Sequence, residues 1–360
     1  MCKVILYLKI FLLLNPFLLS QNINFKGQFN TIILTSNDVP NDWHTHESII
    51  GYLPTLSLKK ETSNNKLFDF EWAYNLKRYY VGDSLYNNNE NNHRLWIRYS
   101  YDKIEARFGL QKIVFGPTQI LRPLSWFDTF DLKDPTGQTN GVEALRLRWF
   151  PSNNIGLSSW IINNKLNTLT YGGRGEFSTS LGDFGVTYHK DPSKSRQLIG
   201  QIGSPIINSH QRIAFDYRFD GFIGFWNESA IIKSNTSNIN LISIGADYTL
   251  PFFNGILIMT ESMYIQNRLK NLKSNQSFSA FMASIPIGMI HQVMYISQID
   301  WEEDKAYQYF RWSSTYDSYS LNIIISINPK RKQYDLPLES LPKSLSNFGT
   351  GIQFMFIYNH

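Results

Sequence analysis

The last segment of the chain, residues 351–360, constrains the fold most strongly because its side chains alternate in character. One face carries large apolar groups and the other a mixed set: Ile352, Phe354, Phe356 and Tyr358 against Gln353, Met355, Ile357 and Asn359. A period of two is typical of a β-strand. Since one face could meet lipid while the other lines a lumen, the pattern predicts a transmembrane strand that closes a barrel. We expect barrel-assembly machinery to recognise this strand.

Residues 1–20 have the pattern of a secretory signal peptide. Lys3 and Lys9 flank an apolar stretch, and the small residue Ser20 ends it. These features predict cleavage after Ser20. A retained helical anchor is the alternative, but residues 15–16 (Asn-Pro) interrupt an apolar run that is already shorter than the roughly 20 residues a bilayer needs.

Composition excludes helical membrane proteins and favours a barrel. Apolar residues make up 42% of the chain, aromatic residues 15% and charged residues 18%, and no apolar run after residue 20 approaches the length of a membrane-spanning helix. The mature chain, residues 21–360, has the length of one barrel of about 16 to 18 strands, at roughly 20 residues per strand and connection. We therefore predict an all-β fold, a single transmembrane antiparallel β-barrel.

Charge and cysteine content agree with an exported barrel. The formal net charge of +5 becomes +3 once Lys3 and Lys9 are lost, which indicates no nucleic-acid partner and at most a mild preference for anions. The single cysteine, Cys2, lies in the predicted leader, so the mature chain would contain no disulfide. A closed barrel suits such a chain because every strand is paired. We expect outer-membrane lipid and small hydrophilic solutes as partners, with no cofactor and no metal.

Segments with a period of two recur along the chain. The candidates before the final one are residues 49–58, 67–76, 94–101, 103–111, 142–150, 155–163, 169–177, 184–189, 211–219, 222–232, 240–250, 256–265, 278–285, 289–298, 307–314 and 319–327. With the final segment they give an odd number of strands, whereas bacterial single-chain barrels have an even number. Residues 21–43 are the expected position of a missing strand.

One long stretch, residues 115–141, interrupts the strand rhythm. It mixes Trp126, Phe127 and Phe130 with several charged residues, so it is too apolar for a solvated loop. Long connections in compact folds are usually functional when they are ordered. We weigh two interpretations equally: a loop that folds inward and constricts the barrel, and a loop that packs over the rim and plugs or stiffens it.

Part of the sequence resembles a known family. The motifs are residues 108–116, Leu121-Arg122-Pro123, Phe127-Asp128, Asp134-Pro135 and residues 141–151. Together they resemble outer-membrane porin-like barrels of Bacteroidota and, more distantly, are similar to alginate-export-type porins, in which a G-x-Q strand is followed by a D-P loop and an L-R strand. The resemblance implies a channel in the cell outer membrane. The chain departs from the usual barrel ending because Asn359 and His360 follow the last aromatic residue.

The resemblance implies that charges facing the lumen select the solute. The candidate pore-lining and constriction residues are Glu105, Arg107, Arg122, Asp128, Asp131, Asp134, Arg146 and Arg148. Arginines opposite the aspartates would produce a transverse field suited to dipolar or anionic solutes, since rings of arginine favour anions. The alternative is an internal network of ion pairs that fixes the loop to the wall, because charges in a lumen must be paired or hydrated.

The sequence favours a passive channel over two alternatives. The first alternative is a barrel enzyme acting on lipid or envelope substrates, which would need a nucleophile beside a base. No spacing singles out a serine with His189, His210 or His291, so we predict no enzymatic activity. The second alternative is a non-conducting structural or adhesive barrel. His44 and His46 could bind a metal, but the residues before them favour a solvated turn.

The many aromatic residues also have two interpretations. They are predicted to form girdles at the two membrane interfaces, and the tryptophans concerned are Trp96, Trp126, Trp149, Trp160, Trp226, Trp301 and Trp312. In a soluble sugar-binding sandwich the same side chains would stack on saccharides. The number of strands and the final strand favour the barrel.

Overall fold

The computed structural model describes most of the chain after residue 21. The described residues are 22–40, 43–62, 65–195, 197–199, 204–206, 208–269, 272–331, 345–346 and 348–360. The predicted signal peptide, residues 1–20, lies outside them. Within the described part, no helix is long and apolar enough to cross a membrane.

Among the described residues, antiparallel strands close into one barrel of 18 strands. The wall consists of β1 (Asn22–Ser36), β2 (His46–Thr62), β3 (Lys66–Val81), β4 (Ser84–Tyr101), β5 (Ile104–Gln111), β6 (Val142–Ser152), β7 (Ile155–Asn163), β8 (Leu169–Thr179), β9 (Gly182–Asp191), β12 (His210–Asp220), β13 (Gly224–Ser234), β14 (Ser237–Leu250), β15 (Ile256–Leu269), β16 (Leu272–Ile287), β17 (His291–Asp300), β18 (Lys305–Thr315), β19 (Tyr319–Ile327) and β20 (Thr350–Asn359). Between β9 and β12, β10 (Gln197–Ile199) and β11 (Ser204–Ile206) form a separate hairpin. The predicted all-β barrel is confirmed.

Closure occurs where β20 lies between β19 and β1. The predicted alternation of this strand is confirmed, because Phe354 is 54% exposed on the outer face while Met355, facing inward, is 4% exposed. Outward apolar side chains recur on the other strands and make the outer surface of the barrel apolar. The inner face carries charged and polar groups together with buried apolar residues.

The missing strand is β1, in the region where the odd count placed it. Every other wall strand overlaps one of the predicted segments. Strand β1 was hard to recognise because residues 32–34 (Ile-Ile-Leu) are apolar without alternation: Ile33 is exposed outside, while Leu34 is buried inside. When inward positions are also apolar, the alternation of apolar and polar residues that identifies a strand is absent.

The girdle prediction is wrong for four tryptophans. Trp160 and Trp226 face inward and are 2% and 0% exposed. Trp96 faces the lumen beside Glu71, and Trp126 lies in the connection between β5 and β6. These rings fill space inside the barrel instead of contacting lipid, whereas Trp149, Trp301 and Trp312 are exposed.

The two ends of the barrel differ in the length of their connections. At one end, the short-turn rim, strands are joined by turns such as 102–103, 153–154 and 221–223, none longer than the turn 251–255. The opposite end carries the longer connections, such as residues 112–141 between β5 and β6. Short turns face the periplasm and long loops the exterior in outer-membrane barrels. We call residues 112–141 the inner segment, since it folds into the lumen as described next.

Candidate functional site

The inner segment buries its apolar side chains against the inner wall. Its Ile113, Phe115, Leu121 and Leu124 belong to one buried apolar cluster. The wall side of that cluster comes mainly from β7 and β12 to β17: Trp160, Ile162, Ala214, Trp226, Ala230, Ile232, Ile239, Leu241, Met259, Met263, Ile265, Ala280, Met282, Met294 and Ile296. These inward apolar residues explain why the segment does not remain in water, because burying apolar area contributes about 25 cal/mol per Å².

Two buried glutamates of the wall bind the backbone of the inner segment. Glu261 accepts hydrogen bonds from the backbone N–H groups of residues 119, 120 and 121, at 2.8, 3.0 and 2.6 Å. Glu228 accepts from the N–H groups of Thr118 at 2.9 Å and Leu124 at 3.1 Å. Successive N–H groups converging on a carboxylate form an anion-binding concavity. The two carboxylates therefore hold residues 118–124 against β13 and β15.

Gly116 makes room for this arrangement. It has a φ of +80°, and a Cβ atom at this position would collide with the Glu228 carboxylate. Only glycine adopts such a backbone without steric cost. Gly116 thus brings the chain close enough to Glu228 for the hydrogen bonds at residues 118 and 124.

The charged residues predicted within the loop contact the loop itself. Arg122 and Asp128 form a 2.6 Å ion pair, and their side chains are 2% and 0% exposed. Asp131 accepts from the N–H group of Lys133, and Asp134 from that of Thr136, both at 2.9 Å. Arg122 and Asp128 are therefore buried partners within the segment, so this pair neither spans the lumen nor fixes the segment to the wall, the two alternatives that the sequence left open.

The second half of the inner segment crosses to other parts of the wall. Tyr309 on β18 donates to the Lys133 carbonyl at 2.6 Å, and Gln28 on β1 donates to the Thr136 carbonyl at 3.3 Å. Arg94 on β4 donates to the Thr139 carbonyl at 2.6 Å. The segment is thus held on several sides of the lumen and narrows its cross-section.

Arginines from three neighbouring strands form what we call the basic wall: Arg98, Arg107, Arg146 and Arg148. Arg107 on β5 lies opposite Arg98 on β4 and Arg146 on β6. Like charges on adjacent strands repel. Glu105 offsets part of this charge, with oxygens 3.5 Å from both Arg98 and Arg107. Asp69 also pairs with Arg98.

Arg146 and Arg148 are the members of the basic wall that form no close ion pair with a described residue. Among the described residues, neither has a carboxylate oxygen within 4.0 Å. Arg148 lies 4.7 Å from the centre of the Phe150 ring. Arg148 is opposite Ser158 on β7, and Ser158 is in turn opposite Arg174 on β8.

The basic wall lies beside the inner segment, because Arg146 is opposite Trp160 in register and the Trp160 ring lies 5.1 Å from the Phe115 ring. The Arg174 guanidinium lies 5.2 Å from the centre of the Phe115 ring, and Arg174 pairs with Asp216 at 2.6 Å. Of the predicted site residues, Glu105, Arg107, Arg146 and Arg148 therefore share one wall. Arg122, Asp128, Asp131 and Asp134 lie in the inner segment.

Sequence reasoning missed Glu228, Glu261 and Arg98. The available signal was the alternation of inward and outward positions along each strand. By that alternation, Glu228 and Glu261 are isolated acidic residues on the inward face of largely apolar strands. A charge there needs a polar partner inside the barrel. That partner, the backbone of the inner segment, carries no side-chain signature in the sequence.

The histidines give no metal centre. In the part of the chain that the structure describes, no three His, Cys, Asp or Glu side chains cluster as metal ligands would. His189 accepts from Trp160 at 3.2 Å, and His210 contacts Arg212. His291 contacts the Ser314 hydroxyl at 2.8 Å on the outer face of the barrel.

The fold of this chain is similar to those of several solved porin structures. The barrel is similar to Pseudomonas aeruginosa OccK5 (OpdH), with a TM-score of 0.56 and 6% identity over 94% of this chain and 98% of that chain. Acinetobacter baumannii OccAB3 gives a TM-score of 0.57 and 8% identity, over 94% of this chain and 99% of that chain. An anion-selective porin from Comamonas acidovorans gives a TM-score of 0.52 and 14% identity, over 95% of this chain and 100% of that chain.

No protein-family model matches the chain, and no curated protein matches it either. Identities of 6–14% show a common fold and nothing finer. The chain shares the closed β-barrel of outer-membrane porins.

Proposed function

We propose that this protein is an outer-membrane porin-like channel for passive diffusion of small hydrophilic solutes, with a preference for anions. One observation carries the proposal: the inner segment lies inside the closed barrel beside Arg146 and Arg148, for which the described residues supply no carboxylate oxygen within 4.0 Å. Unpaired arginines beside a narrow passage attract anions. The apolar outer surface is the surface that lipid would cover.

The finer parts of the proposal rest on the sequence. Residues 1–20 would direct export, and β20 would be read by the barrel-assembly machinery. The resemblance of residues 108–151 supports an origin among Bacteroidota porin-like barrels and a distant relation to alginate-export-type porins. One of the similar solved structures is named as an anion-selective porin, which supports the anion preference.

Reversal potentials across planar bilayers in a KCl gradient test the ion preference. We expect the intact protein to favour chloride, because Arg146 and Arg148 concentrate anions near the narrow part of the lumen. The double variant R146S/R148S should lose most of this preference. A matched control is R268S/K273S, which removes the same charge from an exposed end of β15 and β16, where salt screens it.

Two results would contradict the proposal for the basic wall. One is cation selectivity of the intact channel. The other is an equal shift in the two double variants, which would assign the preference to net charge rather than to the wall.

An enzyme acting on lipid is the second candidate, favoured by the contact between His291 and Ser314. A catalytic pair also needs a group that orients the histidine through its other ring nitrogen. None of the hydrogen bonds among described residues supplies one. We expect the intact protein and its S314A variant to release no fatty acid from phospholipid vesicles; release that S314A abolishes would favour the enzyme.

A further inference from the structure

Four turns that follow one another around the short-turn rim carry protruding apolar side chains. They are residues 180–181, 221–223, 251–255 and 288–290, and none contains a charged residue. Their most exposed side chains are Leu181 at 72%, Phe222 at 83%, Phe253 at 92% and Met289 at 96%. We call these four residues the apolar arc. Because the strands that bear them are neighbours in the wall, the arc follows one side of the rim.

The neighbouring part of the same rim, from β4 to β7, is polar. Its turns contain Asp102 and Lys103 between β4 and β5, and Asn153 and Asn154 between β6 and β7, all of them exposed. A rim surrounded evenly by water would gain nothing from this separation. Single exposed apolar residues are ordinary, but a continuous set indicates a surface that contacts another apolar phase.

The backbone at Phe253 gives a second, independent observation. Phe253 has a φ of +53°, in the left-handed region. This conformation is rare for bulky residues and is retained where a function requires it. Asparagine adopts this conformation at lower cost than phenylalanine, yet Asn254 occupies the next position and Phe253 this one. The turn therefore keeps an exposed phenylalanine at a position whose backbone conformation is costly for it.

The apolar arc is continuous with the outer apolar surface of the barrel. The Phe222 ring lies 5.0 Å from the ring of Tyr248, which is on the outer face of β14. Leu181 accepts a hydrogen bond from the Tyr217 hydroxyl, which belongs to the same face of β12 as the exposed Phe215.

Charged groups near the arc lie on the other side of the wall. The inward Arg218 pairs with Asp220 at 2.9 Å and lies 5.6 Å from the ring of buried Trp226. Asp183, opposite Arg218 in register, belongs to the same inner face. This side of the rim thus presents charge to the lumen and apolar groups to the outside.

We propose that the apolar arc is an insertion surface for the periplasmic leaflet of the membrane. The arc would enter the lipid interface, while the turns at 102–103 and 153–154 remain in water. The barrel axis would then be inclined toward the side that bears β8 to β17. This inference rests on the proposed membrane location and adds to it a defined, one-sided contact with lipid.

Spin-label accessibility tests the insertion. Cys2, the only cysteine, lies in the predicted leader, so the test uses the mature chain, residues 21–360, carrying a single label at F253C, at N154C or at I244C. Each is reconstituted in phosphatidylcholine vesicles, and accessibility to oxygen is compared with accessibility to a water-soluble nickel chelate. Heat-modifiable migration on gels confirms that each variant forms a barrel.

We expect F253C to read as lipid-exposed and N154C as water-exposed, with the nickel collision rate at F253C lower by about tenfold or more. I244C, on the outer face of β14, reports whether the barrel spans the membrane at all. Lipid exposure at I244C together with water exposure at F253C would overturn the arc proposal and leave the membrane barrel intact. Water exposure at I244C would overturn both.

Discussion

At the scale of single residues, Gly116 permits the contact between the inner segment and Glu228. We expect Gly116→Ala to displace residues 116–118, because the new Cβ atom collides with the carboxylate and the φ of +80° is strained. The strain alone costs about 1–3 kcal/mol. The matched control is Gly137→Ala, where φ is +63° but no atom lies within 4 Å of the added Cβ.

The measurement is the midpoint of heat unfolding, read from heat-modifiable migration, together with channel noise in bilayers. Gly116→Ala should lower the midpoint more than Gly137→Ala and should raise the noise. Equal effects of the two changes would contradict the role of Gly116, since they would reflect backbone strain alone.

Arg122 and Asp128 form the second residue-scale case. Removing one member of a buried ion pair leaves the other charge unpaired, at a cost of about 3–5 kcal/mol, whereas replacing both by apolar residues is often neutral. We therefore expect Arg122→Met and Asp128→Leu each to destabilise the inner segment, and the double variant to be destabilised less than the sum. Limited proteolysis of folded barrels measures this. Additive effects would mean that the pair is not coupled.

Residue identity alone could locate these charges but not their partners. Arg122 and Asp128 stand out because they are charged residues inside an apolar stretch. Their burial was not predictable, since two charges can equally face a wet lumen or each other. Glu228 and Glu261 were missed for a related reason: their partners are backbone N–H groups, which every residue possesses.

At the scale of elements, the inner segment depends on the two wall glutamates. A carboxylate accepting several N–H groups forms charge-assisted hydrogen bonds of about 1.5–3 kcal/mol each. We expect Glu261→Gln to weaken the attachment of residues 119–121 more than Glu228→Gln weakens that of its partners, because Glu261 accepts from three consecutive N–H groups.

The expected result is more frequent fluctuation between conductance levels, strongest in the double variant E228Q/E261Q. The matched control is Glu302→Gln, an exposed acceptor in the connection between β17 and β18. Single-channel recording at fixed voltage provides the measurement. Recordings from E228Q/E261Q that match the intact protein would contradict the proposed attachment.

Strand positions were predictable because lipid outside and a lumen inside impose a period of two. The prediction failed at β1, where Leu34 and Ile32 are apolar although they face inward. It also failed for Trp160 and Trp226, whose inward positions depend on space made by the opposing glycines. An added Cβ atom at Gly172 would lie 2.9 Å from the Trp160 ring, and one at Gly245 would collide with Trp226. Such pairing across strands requires the register, which one sequence does not reveal.

At the scale of the whole molecule, we propose that the barrel, the inner segment and the basic wall together form a narrowed aqueous passage. In this proposal the barrel supplies the path, the inner segment reduces its width, and the arginines of β4 to β6 determine the field. This account requires that the folded protein conducts and that the inner segment limits the conductance.

Single-channel conductance of the purified mature chain in planar bilayers, beside a chain with residues 118–138 replaced by a short glycine-serine linker, tests this claim most directly. We predict stable channels from the intact protein and a conductance at least twofold larger from the shortened chain. Absence of channels from the intact, heat-modifiable barrel would contradict the channel. Unchanged conductance after the replacement would contradict the constriction.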